Sequence, residues 1–171
     1  TVLLDVGANA DCRPEMLVQF AQMGSAYAHA ILGKDTPTVA LLSNGSEETK
    51  GNEPTLENHA ALKEADCNFV GNAEGTDILR GTFDVIVTDG FTGNVALKTL
   101  ESTAKFIVGE FKAAAKASPV VGVGALLVKG AFKEIAGKLS GSEVGGAILL
   151  GLKAPVMVGH GHTSPDAVCA G

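Results

Sequence analysis

The segment from Asp84 to Lys98 carries the densest chemical signal in the chain. It reads as an apolar run, Val85-Ile86-Val87, then a turn, Thr88-Asp89-Gly90-Phe91-Thr92-Gly93, then a helix opening near Asn94 with Lys98 one turn in. Glycine lets main chain approach a ligand, and the free amides and dipole of a helix start favour an anion. One exposed dipole contact contributes about 0.3–1 kcal/mol, so several N–H donors and Lys98 would have to act together. Phosphate fits such a site. The plain alternative is a strand, a turn and a helix capped by Asn94.

Three other stretches rhyme with this one: Val6-Gly7-Ala8-Asn9, Ser43-Asn44-Gly45 and Val70-Gly71-Asn72. Each follows a short apolar run. Ligands of open parallel sheets bind beyond the carboxyl ends of the strands, so these exits are expected to cluster. Asn9 and Asn44 bring amide donors, or are simple turn residues. Lys50 lies in the polar loop from Asn44 to Glu53 and either folds over an anion or belongs to solvated surface. Cys12 sits in a ligand-side loop as a nucleophile or a small buried hydrophobe, with no His partner by spacing. His29 and His59 are expected as surface or boundary residues. His160 and His162 stand at i, i+2 on an extended segment and face opposite ways, which argues against chelation. The sequence contains no P-loop, no His-Glu-x-x-His, no Gly-x-Ser-x-Gly and no metal-ligand spacing, and Gly122-Val123-Gly124 lacks the third glycine of a dinucleotide fingerprint.

The elements that must hold these loops alternate. Strands are expected at Val2–Leu4, Val39–Leu42, Phe69–Val70, Val85–Val87 and Val156–Val158. Helices are expected over 14–32, 55–65 and 94–117, with Pro14 in a first turn. Alternation of this size predicts an α/β fold, a mostly parallel sheet between two helical layers. In the third helix Leu97, Leu100, Ala104, Ile107, Phe111 and Ala115 recur at helical steps. Ser118-Pro119 ends it. Gly122 and Gly124 read as a flexible joint before a second amphipathic helix over 125–139, with Val128, Phe132, Ile135 and Leu139 on one face and Lys129, Lys133 and Lys138 largely off it. The expectation is one α/β domain over 1–171, a fragment of a longer protein, from which a helical pair over 94–140 protrudes.

The 171 residues are 46% hydrophobic and 19% charged, which excludes disorder, and three cysteines exclude a disulfide scaffold. Thirteen basic against nineteen acidic residues give a net charge of −6, poorly suited to nucleic acid. Between Lys98 and Lys138, however, seven Lys face three Glu, a basic element on an acidic body. The unpaired cysteines suggest a reducing, cytoplasmic compartment.

Leu3-Leu4-Asp5-Val6-Gly7-Ala8-Asn9-Ala10-Asp11-Cys12-Arg13-Pro14-Glu15, the Lys50-Gly51-Asn52-Glu53 loop, the run from Asp89 to Thr99 and Gly145-Gly146-Ala147 closely resemble the bacterial acyl-ACP:phosphate acyltransferases of phospholipid synthesis. The resemblance implies an isopropylmalate dehydrogenase/phosphotransacetylase-like α/β/α fold, a homodimer, and transfer of a fatty acyl group from acyl carrier protein to inorganic phosphate without metal or organic cofactor. It also implies that an N-terminal half is missing. Met16, Ile148 and His162 depart from the family pattern. On this reading Asn94, Lys98 and Asn44 are catalytic, and Thr92, Gly93, Lys50, Asn9 and Gly45 hold phosphate. Val128, Phe132, Ile135, Leu139, Lys129 and Lys133 meet acyl carrier protein, the inner membrane face, a membrane-bound glycerol-phosphate acyltransferase or the dimer partner. The alternatives are a phosphotransacetylase-like short-chain acyltransferase and a non-catalytic membrane-associated scaffold.

Overall fold

The computed structural model describes residues 1–140 and 147–158. Four strands, β1 (Val2–Leu4), β2 (Val39–Leu42), β3 (Phe69–Ala73) and β4 (Val85–Val87), form one all-parallel sheet in the order β1-β4-β2-β3. With its helices this is the three-layer α/β/α arrangement that the alternation predicts. β4 is central because Val85, Ile86 and Val87 are apolar towards both faces; all three are fully buried. The period of two then sorts the side chains. Val39, Leu41, Val85 and Val87 join Leu17, Phe20, Ala21 and Ala28 of α1 (Pro14–Leu32) and Leu62 of α2 (Glu53–Lys63) in the larger core. Ala40, Ile86 and Ala73 face the other way and pack with Leu3, Leu42, Ile78 and Phe83. Each fully buried Val, Leu or Ile contributes about 1.5–3 kcal/mol, so the first face dominates.

Local chemistry sets the helix ends. α1 starts on Pro14 and stops where Gly33 turns left-handed (φ 65°) and returns its N–H to the Ala28 carbonyl. α2 starts at Glu53, two residues before the expected start at 55, because the Asn52 side chain caps it: Oδ1 accepts from Thr55 N (3.0 Å) and Thr55 Oγ1 (2.6 Å). α3 (Asp77–Arg80) is a single turn, too short to leave a periodic trace. At the amino edge of the sheet Asp84 ties β4 to β2. Its Oδ2 accepts from Thr38 N and Oγ1, both at 3.0 Å, and Oδ1 pairs with Lys34 Nζ at 3.1 Å. The Thr38 amide, with Lys34, holds the Asp84 carboxyl below its ordinary value despite partial burial.

The chain divides into two compact units, Thr1–Leu97 and Lys98–Gly171, with the boundary inside α4 (Gly90–Ala117). In the second unit Ser118 breaks the helix and α5 (Pro119–Ser140) follows at once. Gly122 N donates to Ser118 O at 2.8 Å, so Gly122 and Gly124 lie inside a helix and form no joint. Pro119 suits a first turn, and the surrounding apolar residues continue the helical register. α4 and α5 pack through Phe111 and Phe132, whose rings stack with centroids 4.3 Å apart. Phe132 is therefore half-buried within the hairpin, while Val128 and Ile135 stay exposed. Other apolar residues of α5 are more exposed than that face: Val120, Val123, Leu126 and Leu127, all N-terminal to Val128, are 62–84% exposed. The strand expected at Val156–Val158 is β6 (Met157–Val158); it pairs antiparallel with β5 (Ala147–Ile148) in a separate two-stranded sheet. The side chains of Lys133, Lys138 and Leu139, and residues 145–146, 160, 162 and 169, lie outside what the structure describes. No described helix is long and apolar enough to cross a membrane.

Candidate active site

Parallel pairing in register carries the exits of β1, β4 and β2 to one edge. Leu4 and Leu41 both stand opposite Val87, and Leu42 opposite Ala73 of β3. Neighbouring strands lie about 4.8 Å apart, so the four exits form a row. The β1 and β4 exits are hydrogen-bonded together: Asp5 N donates to Thr88 O (3.0 Å), Thr88 N to Leu4 O (2.8 Å) and Gly90 N to Asn9 O (2.8 Å).

Asp5 organises the first exit. Its buried carboxylate accepts from Gly7 N (2.8 Å) and Ala8 N (2.9 Å) on Oδ1, and from Asn9 N and Asn9 Nδ2 (both 2.8 Å) on Oδ2. Burial pushes the Asp5 carboxyl up, but the Ala8 amide, the Asn9 side chain and the Gly7 and Asn9 amides outweigh it and hold the group below its ordinary value. Asp5 opens an Asp-x-Gly-x-Asn run, in which an Asp carboxylate can accept from the amides that follow it. The amides of residues 7–9 thus wrap an internal anion, and Asn9 spends its N–H and a side-chain donor there.

The α4 entry is also partly closed from within. The helix begins at Gly90, not Asn94, because Asp89 caps it: Oδ1 accepts from Thr92 N and Oδ2 from Thr92 Oγ1, both at 2.7 Å. Gly90 and Gly93 permit a close approach to β1. A Cβ on Gly90 would stand 2.5 Å from Asn9 O, and one on Gly93 would overlap the Asp5 carbonyl oxygen. Free main-chain donors at this helix start are therefore fewer than the sequence suggests, and Thr92 and Gly93 serve mainly to seat α4. Asn94 is brought to the edge: its Nδ2 donates to Val6 O at 3.2 Å and lies against Gly7, leaving a second N–H and the amide oxygen.

The β2 exit supplies Asn44 and Lys50, both exposed. Ser43 Oγ donates to Asn44 Oδ1 at 3.5 Å, orienting that amide weakly. Gly45 is buried because the Lys50 stem lies over it; a Cβ there would stand 2.6 Å from Lys50 Cγ. Gly51 (φ 113°) then turns the chain into the Asn52 cap. Lys98 belongs to the second unit, where its Nζ pairs with Glu101 at 2.9 Å.

The cysteine and histidine alternatives separate here. Burial, against one favourable contact from the Gly90 amide, pushes the Cys12 thiol up, and Sγ lies 3.4 Å from Asn9 O. That describes a packed thiol rather than an activated nucleophile. His29 is exposed, its Nδ1 3.0 Å from Lys34 O. His59, expected near the surface, is buried edge-on against Phe69 at 5.1 Å, since α2 turns it onto β3. Among the described residues no group of His, Cys, Asp and Glu could hold a metal ion.

Comparison with known proteins agrees with these motifs. The family model described as fatty acid synthesis protein matches residues 1–171. The chain is 52% identical to the phosphate acyltransferase of Campylobacter lari over 168 residues, 98% of this chain and 51% of that protein. It is 51% identical to the phosphate acyltransferase of Fusobacterium nucleatum over 98% of the chain and 51% of the relative, and 50% identical to that of Aquifex aeolicus over 98% and 50%. The chain spans about half the length of the curated relatives it matches. With its full length matched and half its residues shared with such relatives, this chain belongs to the fatty acid synthesis protein family.

Proposed function

We propose that the chain is the phosphate-handling half of an acyltransferase that moves a fatty acyl group from acyl carrier protein to inorganic phosphate. One phosphate oxygen attacks the thioester carbonyl, the carbon–sulfur bond breaks, and the carrier thiolate leaves and takes up a proton. The products are acyl-phosphate and free carrier protein. The observation that carries this reading is the row of β1, β4 and β2 exits, which supports Asn94, Asn44 and Lys50 as one constellation at the carboxyl edge.

Phosphate is already anionic, so the protein need supply no covalent nucleophile, in keeping with a packed Cys12. It must aim phosphate and stabilise the oxyanion. Lys50 offsets phosphate charge, and the spare amide donors of Asn94 and Asn44 face the developing oxyanion. Such preorganised donors act without rearrangement at the moment of reaction. Positioning of this kind supplies up to roughly 7–11 kcal/mol of the barrier in favourable cases. Asn9, Gly45, Thr92 and Gly93 support that geometry from beneath.

In a complete enzyme carrying this chain as its matching half, Lys50→Ala is expected to raise the KM for phosphate roughly tenfold, as loss of one charge-assisted contact does. Thiol release from acyl-ACP, followed against phosphate concentration, measures it. An unchanged phosphate KM removes Lys50 from the site, and better turnover of acetyl-CoA than of acyl-ACP would favour the short-chain reading.

The basic, apolar hairpin of the second unit supports a peripheral contact with anionic membrane. Val120, Val123, Leu126 and Leu127 are exposed on α5, and Lys129 is exposed beside them. Each Lys held near an anionic surface contributes about 1 kcal/mol. The doubly substituted Val123→Asp/Leu127→Asp protein is expected to lose co-sedimentation with phosphatidylserine vesicles. Phe132→Asp is the poorer probe, because it would first break the stack on Phe111. Retained vesicle binding together with a shift from dimer to monomer would assign the face to a second copy.

A further inference from the structure

The turn that presents Lys50 closes on one carbonyl. Lys50 N donates to Glu47 O at 3.0 Å. The same oxygen accepts a second hydrogen bond, at 2.8 Å, from Asn72 Nδ2, which reaches it from 25 residues away in sequence. Asn72 stands near the carboxyl end of β3, opposite Leu41 of β2, and is only 6% exposed. It is therefore fixed by the sheet, while the β2–α2 loop is otherwise polar and exposed on residues 46–50. Three restraints converge on Lys50: its stem lies over Gly45, its amide bonds to Glu47, and Asn72 pins that Glu47 carbonyl to the sheet.

The chemistry of Asn72 suits this task better than packing. Its neighbour in β3, Ala73, fills its own buried place with a methyl group. Asn72 instead brings an amide into a nine-tenths buried position, where its Oδ1 finds no partner and the burial cost is offset only through its NH2 group. The use visible in the structure is the hold on Glu47.

We infer that Asn72 is a positioning residue for Lys50: through the Glu47 carbonyl it fixes the turn that offers the ammonium group to phosphate, without touching the substrate. The inference rests on the assignment of Lys50 to phosphate.

A double-mutant cycle in the complete enzyme tests it, with Asn72→Asp, Lys50→Ala and the combination. Asp matches Asn in shape but has no N–H to give Glu47. Asn72→Asp is expected to raise the phosphate KM about fivefold while kcat moves less than about twofold and the KM for acyl-ACP stays put. In the Lys50→Ala background it should raise the phosphate KM no further. Asn72→Ser, whose hydroxyl is too short to span to Glu47, repeats the cycle if the aspartate variant folds poorly. Additive effects overturn the inference, because Asn72 would then act independently of Lys50. So does an unchanged phosphate KM in the Asn72 variants beside a raised one in Lys50→Ala, which leaves the Lys50 assignment standing. An unchanged KM in Lys50→Ala itself overturns both.

Discussion

Gly93→Ala is expected to destabilise the protein by about 3 kcal/mol or more, at the upper end of what one added methyl group costs in a packed interior. The reason is the identity of the atom it meets. The new Cβ would overlap the Asp5 carbonyl oxygen and stand 3.0 Å from Thr88 Cγ2. A side-chain end could swing aside, but Asp5 is held by its amide to Thr88 O at 3.0 Å and by its carboxylate to residues 7–9. Either α4 lifts from β1 or the β1 exit deforms. Thermal denaturation should show a fall of roughly 10 °C for a chain of this size. Gly109→Ala is the matched control. It lies in the same helix with nothing within 4 Å of a new Cβ, and should stabilise by up to about 1 kcal/mol through helix propensity. A Gly93→Ala melt within 2 °C of the parent, in a scan sensitive enough to register about that interval per kcal/mol, would refute the close approach of α4 to β1. In the complete enzyme the same variant should lose most activity, since the shift falls next to Asn94.

Asp5→Asn is expected to cost about 3 kcal/mol. An ionised carboxylate accepts on both oxygens, and here it takes four N–H donors. The amide keeps one oxygen and turns an NH2 group towards two of those donors. Each buried donor left without an acceptor costs about 1–3 kcal/mol. The pH dependence supplies an independent check. Because the folded carboxyl titrates below its ordinary value of 3.8, the unfolded chain binds its proton first as pH falls. The contribution of Asp5 is fully present above that ordinary value. It declines below it and is lost once pH has fallen through the lower folded value. Parent and Asp5→Asn should therefore differ most at neutral pH and converge in strong acid. Urea titrations at a series of pH values measure this, and a constant gap between the two down to the acid limit would show that the carboxylate charge is not what gathers the loop.

Much of this architecture is local, and local information is legible in a chain. Val85-Ile86-Val87 reads as a strand covered on both faces, and Pro14 to Leu32 as a helix, because pattern and capping act over a few residues. The row of Gly/Asn exits follows from alternation and from the rule that parallel strands share an edge. Membership of the family follows from the same short motifs. What sequence pattern misjudged were matters of partnership. Gly122 and Gly124 suggest a hinge, yet the apolar register of α5 carries the helix through them. Phe132 has the spacing of an exposed face, yet Phe111 covers it. His59 looks peripheral until α2 is laid on β3. Val156–Val158 has strand composition, but its partner is Ala147–Ile148 and not the parallel sheet.

The sequence by itself determined the kinds of element, their order and the residue types waiting at the carboxyl edge. Only the tertiary structure decided which donors at that edge are already spent: Asp5 takes the amides of residues 7–9, Asp89 takes Thr92, and Glu47 is shared between Lys50 and Asn72. The physical reason is that hydrophobic patterning is set by neighbours along the chain, whereas hydrogen-bond capacity is assigned by whichever group folding brings within about 3 Å.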